Sequence, residues 1–274
     1  VFGNYIKVAL RNLLRHKVYS AINIFGLAVG LACCLVIALW VQFHLSFDSF
    51  HRNADRIFKV ITIFKFSGSS SQHIGMTSPP MGPSMLNDYP EVENYCRIME
   101  THRLTIEKQG QTLYIERLFR ADSTIVDMFS FETVAGGLKS ALSEPNSLVL
   151  TEEAAKNIFG DGNPVGQSLK DADGREYRIT AVVKKYPRNS HFQFDALLSF
   201  STFSGDWLSN YLNHTLNTYL LLKEGADPRS LEVKFSGFLK KYMPDFANNF
   251  VYYLQPLRDI HLRSARINAQ MNWN

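Results

Sequence analysis

Cysteine is scarce in this chain, and over one long stretch charge is absent. Only Cys33, Cys34 and Cys96 occur in 274 residues, so a disulfide framework is excluded. No Asp or Glu precedes Asp48, and residues 18 to 47 contain no Asp, Glu, Lys or Arg. A surface helix of that length without charge has no polar face to offer water, which excludes an ordinary amphipathic helix there. No self-similar segments recur at the spacing of a solenoid or a propeller.

What fills the uncharged stretch is Val18 to Trp40, VYSAINIFGLAVGLACCLVIALW. A bilayer-spanning helix needs about 20 mostly apolar residues at a rise of about 1.5 Å each. A cleaved signal peptide has an apolar core of about 7–15 residues and a small-residue cleavage site. This run is longer and ends in Leu39-Trp40-Val41-Gln42-Phe43 without an Ala-x-Ala pattern, so an uncleaved transmembrane helix over 18–44 is expected. It divides the chain into a basic arm, 1–17, a span, 18–44, and a large domain, 45–274.

The charges agree with that division. Lys7, Arg11, Arg15 and Lys17 precede the span; the remaining 25 of the 29 basic residues face 25 acidic ones, so the net +4 belongs to the arm. A formally neutral domain lacks the basic surface that nucleic acid requires. Basic residues beside a span stay in the cytoplasm, which puts the domain outside. Cys33 and Cys34 then lie in the span as small apolar residues, and Cys96 is alone in the outer domain. Without an internal disulfide the domain must depend on a packed core, as bacterial periplasmic domains do. The sequon Asn213-His214-Thr215 is read as accidental.

In the arm, Phe2, Tyr5, Ile6, Ala9, Leu10 and Leu13 recur at helical spacing, with Asn4, Lys7, Arg11, Asn12 and Arg15 opposite. Such a stripe suits a helix lying on the cytoplasmic leaflet in contact with lipid. It serves equally as a topology signal or as a coupling helix for a cytoplasmic partner. Within the span, Gly26 and Gly30 form Gly-x-x-x-Gly, a spacing that permits close approach of another helix.

Beyond the span, residues 47–56 are polar and read as helical at first, with Ile57 to Ile63 a β-branched strand. Gly68 to Ser71 reads as a turn, and Pro79 to Leu86 as a short helix ended by Tyr89-Pro90. Cys96 to Ile106 and Thr112 to Phe119 read as strands separated by Gln109-Gly110. Thr151 to Phe159 is a helix capped by Thr151 and closed by Gly160. Tyr177 to Val183 and Thr218 to Leu222 are strands, and Pro228 to Tyr242 is an amphipathic helix. The mixture is α+β, without regular βαβ alternation.

Catalytic patterns are missing. Gly160 to Ser168 has five residues between its outer glycines and Gln167 where a phosphate loop needs lysine, so it reads as a glycine-rich turn. His51 and Asp55 are spaced to share a helix face but have no third ligand nearby, and read as a solvated or capping pair rather than a metal site. His191 and Asp195 alternate as in a strand and suit loop hydrogen bonding. No nucleophile elbow and no Cys/His pair in a recognisable context occurs. The aromatic residues fall in core segments and read as packing. Neither an enzyme nor a cofactor or metal site is expected.

Several segments together resemble the bacterial FtsX-like permeases with a MacB-type periplasmic core domain, in particular those of Bacteroidetes type. They are Asn4 to Lys17, Asn23 to Gly30, Phe47 to His51 with Asn53 to Phe58, and Pro90 to Glu93. Thr151 to Gly160 with Asn163 to Gly166, Pro187 to His191 and Pro256 to Leu262 complete the set, in family order over nearly the whole chain. The resemblance implies a permease subunit of an ABC transporter, with a porter-like α+β part and a smaller inserted part placed around residues 125–205. Such permeases have at least four spans, so a fragment lacking the later ones is expected, with Met271 to Asn274 not a natural domain end.

The implied mechanism is mechanotransmission: a separate cytoplasmic ABC ATPase works on the spans, and the periplasmic domains move on a substrate. The resemblance also implies a homodimer or pseudo-dimer of permease units and a periplasmic adaptor. Lys7, Arg11, Arg15 and Lys17 would then serve coupling and topology, and Gly26 and Gly30 helix packing. The rival from a different class is a single-pass sensor with a ligand-binding outer domain; a membrane-anchored enzyme would need a clustered acid, base or nucleophile.

Overall fold

Two units follow one another along the chain, residues 1–46 and 47–274. The computed structural model describes residues 2–65, 71–101, 103–108, 110–265 and 267, without the side chains of Phe2, Ala9 and Leu10. The first unit is α1 (Phe2–Arg15) and α2 (Lys17–Leu45), parted by His16, whose φ of −113° and ψ of 56° leave the helical region. The 29 residues of α2 reach about 44 Å at the standard rise, longer than a hydrocarbon core of about 30 Å.

The second unit begins with turns and then alternates short elements. These are β1 (Ile57–Phe64), β2 (Gln72–Ile74), α3 (Met81–Asp88), β3 (Val92–Thr101), β4 (Leu104–Lys108), β5 (Gln111–Ile115) and β6 (Leu118–Ala121). Next come α4 (Ile125–Met128), β7 (Thr133–Gly136), β8 (Ser147–Thr151), α5 (Glu152–Phe159), β9 (Ser168–Asp171), β10 (Glu176–Val183) and β11 (Ala196–Ser199). The unit closes with β12 (Asn217–Leu222), α6 (Pro228–Tyr242), β13 (Phe250–Pro256) and α7 (Ile260–Arg263).

All these strands join in one mixed sheet of order β13-β1-β12-β3-β6-β11-β8-β10-β9-β4-β5, with β2 beside β1 and β7 beside β10. The pairs β8/β10 and β6/β11 are parallel, the others antiparallel. The α+β class expected from sequence is the class observed.

Period-two alternation sends each central strand's side chains to two cores. Phe58 and Val60 of β1, with Leu220 and Leu222 of β12, pack against α3 and α6. Ile57 with Tyr219 and Leu221 faces a second, aromatic-rich core with Phe129, Phe192 and Phe194. A third core lies under α5, where Leu148 and Leu150 meet Ile158 and Ile179. Strands covered on both faces carry continuous apolar runs, as in SLVLT of β8 and NTYLLL of β12, both buried throughout.

Helices α5 and α6 have the ends their sequences announce. Asp227 caps α6 by accepting from Arg229 N at 3.1 Å and Ser230 N at 3.2 Å, with Pro228 in the first turn. Leu231, Phe235, Phe238 and Leu239 form its buried stripe. Thr151 Oγ1 accepts from Ala154 N at 3.3 Å, and α5 ends at Gly160 with φ 62°. At Gly136, φ is 81° and a Cβ would collide with Thr180 O, so the edge strand β7 approaches β10 only as glycine.

Three expectations change. Residues 46–56 are a run of turns, not a helix, because Asp48 is left-handed (φ 56°) and its N–H donates to Asn189 O at 2.9 Å instead of continuing a helical ladder. Cys96 to Ile106 spans two strands: β3 stays between β12 and β6, whereas β4 pairs with β5 and β9. Thr112 to Phe119 likewise divides into β5 and β6. Positions 68–70 and 109 of the expected turns lie outside the described residues.

Candidate functional site

The expected sites of the first unit occupy two helices. Lys7, Arg11 and Arg15 lie at i, i+4 and i+8 on one side of α1; Lys17 starts α2 beyond the His16 break. Tyr5, Ile6 and Leu13 of the expected apolar stripe are exposed. Gly26 and Gly30 sit one turn apart on α2, with open space where each Cβ would project. Spacing alone brings these residues together.

The second unit holds a cluster that sequence reasoning did not assemble. It begins at Asp48, which is fully buried although charged. Its Oδ1 accepts from His191 N at 3.1 Å and Ser190 Oγ at 3.2 Å. The same oxygen lies 2.9 Å from His191 Nδ1 and 3.9 Å from His51 Nε2. His191 Nε2 and the Tyr219 hydroxyl are 2.9 Å apart, which carries the network to β12. His51 Nδ1 accepts from Ser130 N at 3.1 Å, so this nitrogen is the unprotonated one.

Electrostatics follow from this geometry. Burial pushes the His51 imidazole down to about 4; the Asp48 carboxylate opposes that and His191 adds to it. Burial alone would raise the Asp48 carboxyl. The charge of His191 and the N–H groups it directs at the carboxylate, with His51 behind them, outweigh burial and hold the pKa below its ordinary value. A shell of rings encloses the group: Phe129 stands edge-on to His51 at 5.1 Å and to Tyr219 at 5.5 Å, and Phe50 and Tyr186 flank His51.

Further contacts pin the same turn segment elsewhere. Asn53 Nδ2 donates to the carbonyls of Asp127 and Met128, and Arg52 N donates to Ser130 Oγ. Arg56 donates to Leu222 O at 3.0 Å and to Glu93 at 2.6 Å. Phe47 stacks on His261 with centroids 3.4 Å apart, and Arg258 pairs with Asp55 at 3.1 Å. Residues 47–56, 189–191 and 256–261 thus form one clasp.

His51 is therefore not on a solvated helix face: it is 2 % exposed in a turn, while Asp55 is exposed and faces Arg258. His191 does make loop hydrogen bonds. Asp195 holds Arg117 in a two-pronged pair, its Oδ1 2.7 Å from Nη2. Among the described residues no group of three or more His, Cys, Asp or Glu is arranged to hold a metal. The signal that could have found the clasp was the set of motif-like segments themselves, Phe47 to Phe58, Pro187 to His191 and Pro256 to Leu262; their meeting is not written in spacing.

The pattern of the MacB-like periplasmic core domain matches residues 20–236. The chain belongs to this family. A crystallised domain described as part of a permease protein from Porphyromonas gingivalis shares 25% identity, with a TM-score of 0.65 over 75% of this chain and 92% of that one. The periplasmic region of MacB from Actinobacillus actinomycetemcomitans superposes at a TM-score of 0.53 and 15% identity, over 76% of this chain and 91% of that one. The extracellular domain of the noncanonic ABC-type transporter YknZ from Gram-positive bacteria gives 0.52 and 11%, over 73% and 99%. No curated protein matches at a significant level. A MacB-like periplasmic core domain following an apolar helix long enough to cross a bilayer marks a membrane protein with an extracytoplasmic domain. Two segments of the clasp, 47–56 and 189–191, lie within the matched residues 20–236, and the third, 256–261, follows them.

Proposed function

We propose that the chain is a permease subunit of an ABC transporter, which couples ATP hydrolysis by a separate cytoplasmic ATPase to motion of its MacB-like domain. The observation that carries this reading is the clasp. Asp48, just after α2, is tied by buried polar contacts to a loop 142 and 143 positions further on, at Ser190 and His191. A flexible segment at the start of the domain would absorb displacement; one fixed by buried bonds to the rest of its own unit would pass it on. The chain then contributes no catalytic group. Lys7, Arg11, Arg15 and Lys17 act in cytoplasmic topology and coupling, and Gly26 and Gly30 in packing of α2 against another span. Residues 1–17, 18–44 and 45–274 divide into arm, span and periplasmic core, the latter with its inserted part around 125–205.

The test uses the full-length gene product, gently solubilised from its native membrane. A co-purifying nucleotide-binding subunit that hydrolyses ATP is expected, with hydrolysis altered in an Asp48→Asn variant that keeps the complex together. Intact protein that reproducibly carries no ATPase would overturn the proposal and shift weight to the single-pass sensor.

A further inference from the structure

The sheet has an open edge at β13. Lys65 N donates to Asn249 O at 2.8 Å, and the register pairs Ile63 with Val251 and Ile61 with Tyr253. These are the hydrogen-bonded pairs of an antiparallel ladder, so the backbone groups of Phe250, Tyr252 and Leu254 point away from β1. The donor at Leu254 is covered: its N–H donates to the Glu232 carboxylate of α6 at 2.6 Å. Among the described residues nothing bonds the outward N–H and C=O of Phe250 and Tyr252.

A cleft of about 280 Å³ lies between this edge and α6. Phe235, Leu239 and Tyr252 give it an apolar side, and the exposed Lys65 and Lys240 line it as well. Neither ammonium has an ion-pair partner among the described residues. Exposed edges are ordinarily guarded by charge, and Glu232 is such a guard. The two lysines guard selectively. A second copy adding through the same edge would bring its own Lys65 and Lys240 against these, like charge on like. An acidic strand would meet them with favourable sign.

We propose that β13 is a strand-addition site for an extended, acidic segment of a partner protein, which continues the sheet along Phe250 and Tyr252 and lays its side chains in the α6 cleft. Up to four backbone hydrogen bonds would hold it, two from each of these residues. The inference goes beyond the permease reading and does not rest on it.

The test measures fluorescence anisotropy of labelled Glu-Val-Glu-Val-Glu-Val with the full chain in detergent. Two further peptides carry N-methyl groups on all three valines or all three glutamates; a fourth has Lys for Glu. Saturable binding of the acidic peptide is expected. One N-methylated set should bind at least about tenfold more weakly, the cost of roughly one backbone hydrogen bond. The double variant Lys65→Glu/Lys240→Glu, both sites exposed, should lose the acidic peptide, gain the lysine peptide and keep the parent melting temperature. No saturable binding to the folded chain would overturn the proposal. So would indifference to both methylation patterns, which would make the contact one of charge alone. Sedimentation showing a peptide-blocking dimer would give the edge to a second copy instead.

Discussion

The two faces of the sheet at β1 are built on opposite principles. Toward α6, Phe58 and Val60 meet an almost wholly apolar set in which Phe235, Phe238 and Leu239 supply the bulk. Toward the clasp, Ile57 shares its side with the buried Lys59, and the neighbouring core holds Asp48, His51, His191 and Tyr219 among aromatic rings. The first face gains from burial wherever apolar volume is conserved. The second needs each polar group to find its partner, so it fixes one arrangement at a cost in desolvation. The apolar face is therefore the one whose stability ignores pH in acid and near neutrality, responding only above about pH 10, where burial makes Tyr89 and Tyr252 keep protons that an unfolded chain loses.

The largest effect expected is alkaline. Burial holds the Lys59 ammonium at about 7, against 10.5 in an unfolded chain. The unfolded chain keeps this proton between those values and the folded one does not, so stability rises as pH goes from 7 to 10.5, by on the order of 4–5 kcal/mol. Denaturation midpoints in detergent across that range should climb, and Lys59→Met should flatten the climb. On the apolar side, Phe235→Ala should cost about 4 kcal/mol, equally at pH 5 and pH 7. A pH-dependent loss there would break the contrast between the faces. Asp48→Ala should cost about 3 kcal/mol at neutral pH by leaving buried donors without their acceptor, and Asp48→Asn less.

Acid sharpens the comparison further. His51 titrates at about 4 when folded and 6.5 when unfolded, so stability is full above 6.5 and declines as pH falls toward 4, by about 3 kcal/mol. Asp48, with its lowered value, holds its contribution until pH falls below the ordinary carboxylate range. His51→Asn should remove most of the slope between 4 and 6.5 in the same titration. The smallest effect belongs to the exposed Asp55–Arg258 pair. Asp55→Ala should change stability by under about 1 kcal/mol, and high salt should erase the difference.

Sequence made the periodic parts legible. The α6 cap and stripe, the Thr151 cap with Gly160, and the β-branched run of β1 all depend on neighbours within a turn or two. The failures are those whose cause is remote. Residues 47–56 contain no strong helix breaker, and only the pull of Asn189 and His191 on Asp48 turns them out of a helix. Cys96 to Ile106 is one apolar stretch, divided because β12 and β6 take its first half while β5 and β9 take the second. The buried state of His51 was hidden for the same reason: its hydrogen-bond partner Ser130 lies 79 positions away, and only Asp48 is local. The family resemblance, resting on segments and not on contacts, reached the class of domain without these pairings.

The place of β1 in the sheet gives the clasp a mechanical meaning. Ile57 follows directly on the clasp, and β1 runs between β12 on one side and β13 on the other. A strand bonded along one edge can be peeled, each bond breaking in turn under the full load. A strand held along both edges, and knotted at its leading end, shares tension across both ladders at once. Under the proposed function, tension entering at Phe47 would spread through the sheet before any single bond carried it alone, which is how a rivet behaves and a hinge does not.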